Sequence, residues 1–299
     1  MSRKFLFLVN PISGTKSKQS LPDLIAAAAG KYGARFDIFH TVASGDYSFI
    51  RQKIEESRYT DIILCGGDGT VNTVVQQLLD MGVNFGIVPL GSGNGLALSA
   101  RIPKQVAKAL DIVFTGKPAY IDAFTINGSF ACMLCGLGFD AQVAHDFARQ
   151  KKRGLLTYTK QSLSHFFRAS PYSFDIKLES TSFTTEAWFI SIANSNQFGN
   201  NVTIAPKASL NDGLLDIVIV RKMSKAQLPV SLLLQVAGNN RVSQPGALKK
   251  SGIIYLQADA LRIKNTDNAP LHIDGEPKMT ADAFEIKVIP NCFKLIQPE

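Results

Sequence analysis

The sequence predicts an α/β domain followed by an all-β domain, and three observations carry that reading. Through about residue 115, short apolar runs alternate with stretches of helical spacing, the pattern of a doubly wound parallel sheet. Beyond about residue 120 the runs are mostly strand-like, which predicts a largely antiparallel second domain. A length of 299 residues with 45% hydrophobic content favours two domains with a core each.

Phe5 to Val9 reads as a first buried strand, stopped by the turn Asn10-Pro11-Ile12-Ser13-Gly14. A helix from about Leu21 tolerates Pro22 in its first turn and ends near Gly30. Arg35 to Thr41 is a second strand, Asp46 to Ser57 a second helix and Ile62-Ile63-Leu64 a third strand. Val71, Val74, Val75, Leu78 and Leu79 mark one face of the next helix, which stops at Met81-Gly82. Phe85 to Val88 is a fourth strand; it runs into Pro89-Leu90-Gly91-Ser92-Gly93-Asn94-Gly95. A short helix from Leu96 and another over Gln105 to Thr115 close the domain. In such sheets ligands bind at the carboxyl ends of the strands, and the loops starting at Asn10, Thr41, Gly66 and Gly91 all lie there.

In the second domain, Asn127-Gly128 between Ile121–Ile126 and Ser129–Cys135 is a hairpin signal. Helices are predicted over Asp140 to Lys151, Leu155 to Arg168 and Lys225 to Ala237. Strands are predicted over Phe174–Leu178, Ala187–Ala193, Val202–Ala205, Leu214–Val220, Ile253–Leu256, Ala260–Lys264, Leu271–Asp274 and Phe284–Val288.

The most informative local pattern is Cys65-Gly66-Gly67-Asp68-Gly69-Thr70 between the third strand and its helix. Glycines allow positive φ and close ligand approach, and the helix start favours phosphate. Asp68 in that turn fits a metal ion or an acceptor hydroxyl beside the phosphate; alternatively it is an N-cap.

Other signals are weaker. No G-x-x-x-x-G-K-[ST] occurs, so a P-loop is excluded. Gly136-Leu137-Gly138-Phe139-Asp140-Ala141 fits the dinucleotide fingerprint, but it lies in the β-rich half with no acidic residue at the expected distance; a hairpin-to-helix turn accounts for it better. Asn211 to Asp216 and Ile273 to Glu276 read locally as turns. Cys132 and Cys135 sit in an apolar run, where positions three apart diverge on a strand, so buried free thiols are expected. His40, His145, His165 and His272 share no ligand spacing. The net charge of +8 suits an anionic membrane surface or a polyanionic small molecule; no aromatic-interleaved basic stripe or zinc-finger spacing supports nucleic acid. The basic run Arg149 to Arg153 reads as solvated or as a contact for anionic headgroups. Asn10-Pro11 ends the first apolar run too early for a signal peptide, no stretch reaches membrane-spanning length, and a soluble or peripheral protein is expected.

Together the motifs resemble the diacylglycerol kinase-like lipid kinases, a family that includes sphingoid-base kinases. Asn10 to Gly14, Gly66 to Thr70, Gly91-Ser92-Gly93-Asn94, Gly138 to Ala141, Asp212-Gly213-Leu214-Leu215-Asp216 and Asp274-Gly275-Glu276 occur in family order and span nearly the whole chain. The resemblance implies an α/β nucleotide domain over 1–121, to which 289–299 returns, and a β-sandwich substrate domain over 122–288. The family's active site lies in the cleft between the domains, so Asp68 and Glu276 are expected to face one groove. ATP is then expected against Asn10, Thr41, Gly66, Gly67, Asp68, Gly69, Thr70, Val71, Asn72 and Ser92. Glu276 becomes the proton acceptor, with Asp274 beside it, and Asp68 the magnesium-linked carboxylate. A structural Mg²⁺ maps to Asp212 with backbone oxygens of Ser209 and Leu214. Gly95 stands where many bacterial relatives carry Asp, so the loop does not diagnose diacylglycerol.

The activity implied is transfer of the ATP γ-phosphate to a lipid hydroxyl, of the diacylglycerol or sphingoid type, at the cytoplasmic face of a membrane that the protein contacts peripherally. A kinase of NAD or another soluble alcohol, sharing the Gly-Gly-Asp-Gly turn, and a catalytically silent nucleotide or lipid sensor stay open at this point. Oligomeric state is also open, a homodimer included.

Overall fold

The computed structural model describes residues 3–14, 19–148, 169–199, 202–224, 227–228, 231 and 252–299. The helices predicted over Leu155–Arg168 and Lys225–Ala237, the end of the helix from Asp140 and the basic run 149–153 lie outside the described residues. The chain divides into two units. Unit 1 is Met1–Ala123, Gln197–Asn201 and Pro290–Glu299; unit 2 is Phe124–Asn196 and Val202–Ile289.

Unit 1 begins β1 (Lys4–Val9), α1 (Leu21–Lys31), β2 (Arg35–His40), α2 (Ser48–Ser57), β3 (Asp61–Gly66) and α3 (Asp68–Leu78), the last extended by a 3-10 turn, Leu79–Met81. It continues with β4 (Asn84–Pro89), α4 (Gly95–Ser99), α5 (Val106–Thr115) and the start of β5 (Lys117–Ile126). The strands are parallel in the order β2-β1-β3-β4, and the end of the chain's last strand adds beside β4 through Lys294 and Leu295. All six residues of β3 are buried, so both faces of the sheet carry helices. Phe5, Phe7 and Val9 pack with Leu21 and Ile25 of α1 and Leu110 and Val113 of α5. Alternation along the strand sends Leu6 and Leu8 to the opposite face. Asp61 opens β3 fully buried and is satisfied by Arg3 at 2.8 Å, Thr60 Oγ1 at 2.6 Å and Asn84 Nδ2 at 3.1 Å. Removing one partner from such a buried carboxylate costs about 3–5 kcal/mol.

Unit 2 takes the end of β5, then β6 (Ser129–Ala131), β7 (Leu134–Gly138), α6 (Phe139–Ala148), β8 (Tyr172–Lys177) and β9 (Ser182–Ala193). After β10 (Gln197–Gly199) come β11 (Val202–Thr203), β12 (Leu215–Arg221), β13 (Ile253–Ala258), β14 (Ala260–Asn265), β15 (Leu271–Ile273), β16 (Glu276–Lys278) and β17 (Ala283–Gln297). Within this unit the strands follow the order β16-β15-β7-β9-β8-β14-β17, with β12 on β9 and β13 on β12, and the pairings are antiparallel. One core joins Leu137, Phe174, Ile176, Ile190, Ile192, Ile217, Ile219, Leu261, Ile263, Phe284 and Ile286.

Several boundaries differ from the sequence reading, each for a physical reason. The Asn127-Gly128 hairpin is present, with φ of 48° and 78° at its two turn residues, a type I′ turn that matches strand twist. The run Ser129–Cys135 is not one strand: it breaks at Cys132 and Met133, whose N–H groups leave the ladder for the Asp274 carboxylate. The predicted strand Phe284–Val288 belongs to a single strand that continues to Gln297; Pro290 disguises it, since proline reads as a strand breaker.

Candidate active site

Three loops meet in unit 1 at the carboxyl ends of β1, β3 and β4, and glycine makes the meeting possible. Gly66 O accepts N–H groups from Leu90 at 2.8 Å and Gly91 at 3.3 Å. A Cβ on Gly91 would lie 2.5 Å from Gly67 Cα, so these two turns pack backbone against backbone. A Cβ on Gly14 would stand 2.1 Å from Leu90 O, which brings in the first loop. Asn10 completes the set: its Nδ2 donates to Thr70 Oγ1 at 2.8 Å, and its Oδ1 accepts from Ile12 N at 3.0 Å. In the third loop Asn94 holds Gly91 from both sides, accepting from its N–H at 2.9 Å and donating to its carbonyl at 2.7 Å.

Asp68 is the first residue of α3, and the N-cap is Gly67. The N-cap alternative for Asp68 therefore does not hold; Oδ1 instead accepts from Leu96 N in the first turn of α4, at 3.4 Å. Among the expected nucleotide contacts, Gly66, Gly67, Asp68, Gly69, Thr70 and Asn72 lie on the β3–α3 turn and the first turns of α3, with Asn10 bound to them. Val71 points into the core, and its N–H donates to Gly67 O at 3.1 Å, so it shapes the helix start. Thr41 leaves β2 with its N–H on Val9 O at 3.0 Å, and Ser92 is exposed at the tip of the third loop. Burial pushes the pKa of nearby Tyr47 up, opposed by hydrogen bonds to Val42 and Thr41.

In unit 2 the two expected catalytic carboxylates have opposite surroundings. Asp274 and Gly275, with φ of 49° and 81°, form the two-residue type I′ turn between β15 and β16. The Asp274 carboxylate is buried: Oδ2 accepts from Cys132 N, and Oδ1 from Met133 N and Leu134 N, all at 3.0 Å. Its own N–H donates to Leu134 O at 2.8 Å. Glu276, two residues on, is exposed at the start of β16. Asp274 thus holds the turn, and Glu276 is the carboxylate accessible to an acceptor.

The expected magnesium residues share one turn. Asp212 Oδ1 accepts from Leu214 N at 3.1 Å, an Asx turn, and Ser209 Oγ donates to Asn211 Oδ1 at 3.0 Å. Beyond it, buried Asp216 accepts from Tyr255 Oη at 2.5 Å and Gln257 Nε2 at 3.2 Å; burial raises its pKa to about 6 against those bonds. Among the described residues, no group of three or more His, Cys, Asp or Glu could hold a metal.

Sequence reasoning missed a buried pair beside the Asp274 turn. His272 Nδ1 accepts the Gly275 N–H at 3.3 Å, and its Nε2 lies 3.4 Å from Asp140 Oδ2. Burial pushes the Asp140 carboxyl up, and the His272 contact opposes that rise. Asp140 lies inside a quoted motif, but nothing in the spacing joins it to a histidine 132 positions later.

Two family models divide this chain. Residues 4–126 match the diacylglycerol kinase catalytic domain, and residues 134–297 match the YegS C-terminal NAD kinase beta sandwich-like domain. The chain belongs to the diacylglycerol kinase-like lipid kinase family. It is therefore an enzyme, a kinase, with an N-terminal α/β catalytic domain and a C-terminal β-sandwich domain. Within this family it is similar to a diacylglycerol kinase of Bacillus subtilis, 26% identical over 90% of this chain and 88% of that one. A YegS-like lipid kinase of Chromohalobacter salexigens is 26% identical over 87% and 83%. A crystal structure of a diacylglycerol kinase from Bacillus anthracis shares the fold, with a TM-score of 0.75 at 19% identity, over 99% of this chain and 97% of that one.

Proposed function

We propose that the protein is an ATP-dependent lipid kinase, transferring the γ-phosphate to a hydroxyl of a diacylglycerol- or sphingoid-type lipid at a membrane surface. The observation that supports it most is the meeting of three glycine-containing loops at the carboxyl ends of β1, β3 and β4. Bare backbone there admits phosphate groups, and the first turn of α3 favours their charge. Phosphoryl transfer then needs positioning, charge neutralisation and a group to take the hydroxyl proton. Asn10 and Thr70 brace the nucleotide turn, and Glu276 takes the proton of the acceptor alcohol.

Magnesium takes oxygen ligands and keeps several waters, so it needs few protein groups. Asp68 offers carboxylate oxygen on the phosphate side. The Asp212 turn, with the backbone oxygens of Ser209 and Leu214, offers oxygen donors only, which suits a hard cation in a structural role. When bound, the ion neutralises phosphate charge; the chain's own contribution is to hold the loops and the proton acceptor.

The +8 net charge and the exposed Met279, three residues after Glu276, support contact with an anionic lipid surface. No helix among the described residues is long and apolar enough to cross a membrane.

A second reading has one observation in its favour: the C-terminal model is described as NAD kinase-like. Incubation with radiolabelled ATP, Mg²⁺ and a total lipid extract separates them. Label in the organic phase supports a lipid acceptor; label confined to an aqueous product sinks it. Glu276→Gln and Asp68→Asn are each expected to lower transfer by about 100-fold or more, the scale of general-base and electrostatic contributions. Unchanged transfer in both would remove the site assignment.

A further inference from the structure

We propose that His272, backed by Asp140, is a positioning residue for the Asp274-Gly275-Glu276 turn. The inference rests on Glu276 being the proton acceptor and names what holds it in place. His272 sits on β15 only two residues before that turn and is 2% exposed. Its Nδ1 accepts the Gly275 N–H at 3.3 Å, which assigns the ring proton to Nε2. Nε2 lies 3.4 Å from Asp140 Oδ2, on the first turn of α6, a close polar contact outside hydrogen-bond geometry that leaves this buried oxygen without a hydrogen-bond partner among the described residues. A buried carboxylate this close favours the proton on Nε2 over Nδ1, and so keeps Nδ1 an acceptor for Gly275.

The surrounding backbone is built around this pair. Gly136 faces His272 in the β7–β15 register. A Cβ on Gly136 would lie 2.0 Å from Asp140 Oδ2 and 2.5 Å from His272 Nε2, so the pair occupies the space of the missing side chain. The same helix is tied to the same strand once more, where His145 Nε2 donates to Leu271 O at 2.8 Å. Asp274 grips β7 and its preceding residues through three N–H groups. His272 holds the Gly275 N–H as well. Glu276, the next residue, is exposed and depends on these two anchors for its place.

The test uses three variants of the full chain. His272→Asn keeps an acceptor near the Nδ1 position and loses the reach to Asp140. His272→Gln keeps a donor toward Asp140 and loses that acceptor. His272→Phe loses both. With ATP, Mg²⁺ and a total lipid extract, His272→Phe is expected to lower kcat about 10- to 100-fold, the scale for a displaced catalytic group. KM for ATP stays unchanged, His272→Asn recovers most of the loss, and His272→Gln recovers less. In a Glu276→Gln background, His272→Phe costs nothing further. Amide exchange read at Gly275 gives an activity-free check: slow in the wild type and in His272→Asn, fast in His272→Phe.

Full kcat in His272→Phe overturns the inference. So does fast Gly275 exchange in the wild type, a result that stands even if His272→Phe does not fold. If Glu276→Gln retains full activity, the reading of Glu276 fails instead, and slow wild-type exchange with fast exchange in His272→Phe still upholds the His272 anchor.

Discussion

Asp274 and Glu276 are two carboxylates two positions apart, and burial gives them different work. Asp274 accepts three backbone N–H groups and is 5% exposed, whereas Glu276 is exposed. Asp274→Asn would place an amide N–H₂ against backbone donors. It is expected to cost about 1.5–3 kcal/mol of stability, the range for hydrogen bonds to a charged group. Urea unfolding measures it, and a loss under about 0.5 kcal/mol, the scale of a neutral surface change, would contradict the assignment. The chain showed an acidic turn here but not which carboxylate would be buried, because its donors lie some 140 positions away in sequence. Cys132 and Cys135 illustrate the opposite case, where an apolar run alone was enough to read them as buried. Cys65, Cys132 and Cys135 are buried, and Cys292 is half-buried. Burial first, and Asp122 second, push the Cys292 thiol from 9.0 up to about 11. A raised thiol pKa means the folded state holds the proton longer. Its contribution to stability is present below pH 9.0 and lost as pH rises through about 11. Alkylation of Cys292 in the native protein, with Cys292→Ser as the blank, should keep accelerating past pH 9 toward about 11. Levelling off near 9 would contradict this.

Among the elements, the strand-ending loops shape the proposed nucleotide site. Gly67 and Gly91 approach so closely that neither tolerates a side chain without shifting the other turn. Gly91→Ala is expected to cost roughly 1–3 kcal/mol by overpacking and to raise KM for ATP more than it lowers kcat. Gly30→Ala, in α1 with nothing within 4 Å, is the control and should gain about 0.5–1 kcal/mol. Thermal unfolding and ATP-dependent kinetics check both; a Gly91→Ala protein with unchanged melting and KM would contradict the packing. These loops were legible because alternating apolar runs place every loop after a strand at one end of a parallel sheet. The strand breaks were less legible. Cys132 and Met133 look like strand interior until Asp274 takes their N–H groups, and Pro290 hides the continuity of β17.

At the scale of the whole molecule, the alternation of strands and helices was enough to read a parallel α/β unit, and the later run of strands an antiparallel one. The segment Gln197–Asn201 joins unit 1 without any sequence signal, since membership there depends on tertiary contacts. The motifs specify chemistry more sharply than the fold does, because one fold serves many reactions. Six short stretches in family order, together with the two matching domain models, place the chain among lipid kinases; the acceptor itself is proposed from them. The proposed reaction is phosphate transfer to a lipid hydroxyl with Glu276 as proton acceptor. Mass spectrometry of a total lipid extract incubated with ATP, Mg²⁺ and the protein tests it most directly. A new phosphorylated lipid is expected with the wild type and little or none with Glu276→Gln. Phosphate found only on a water-soluble product, or the same lipid formed equally by Glu276→Gln, would contradict it.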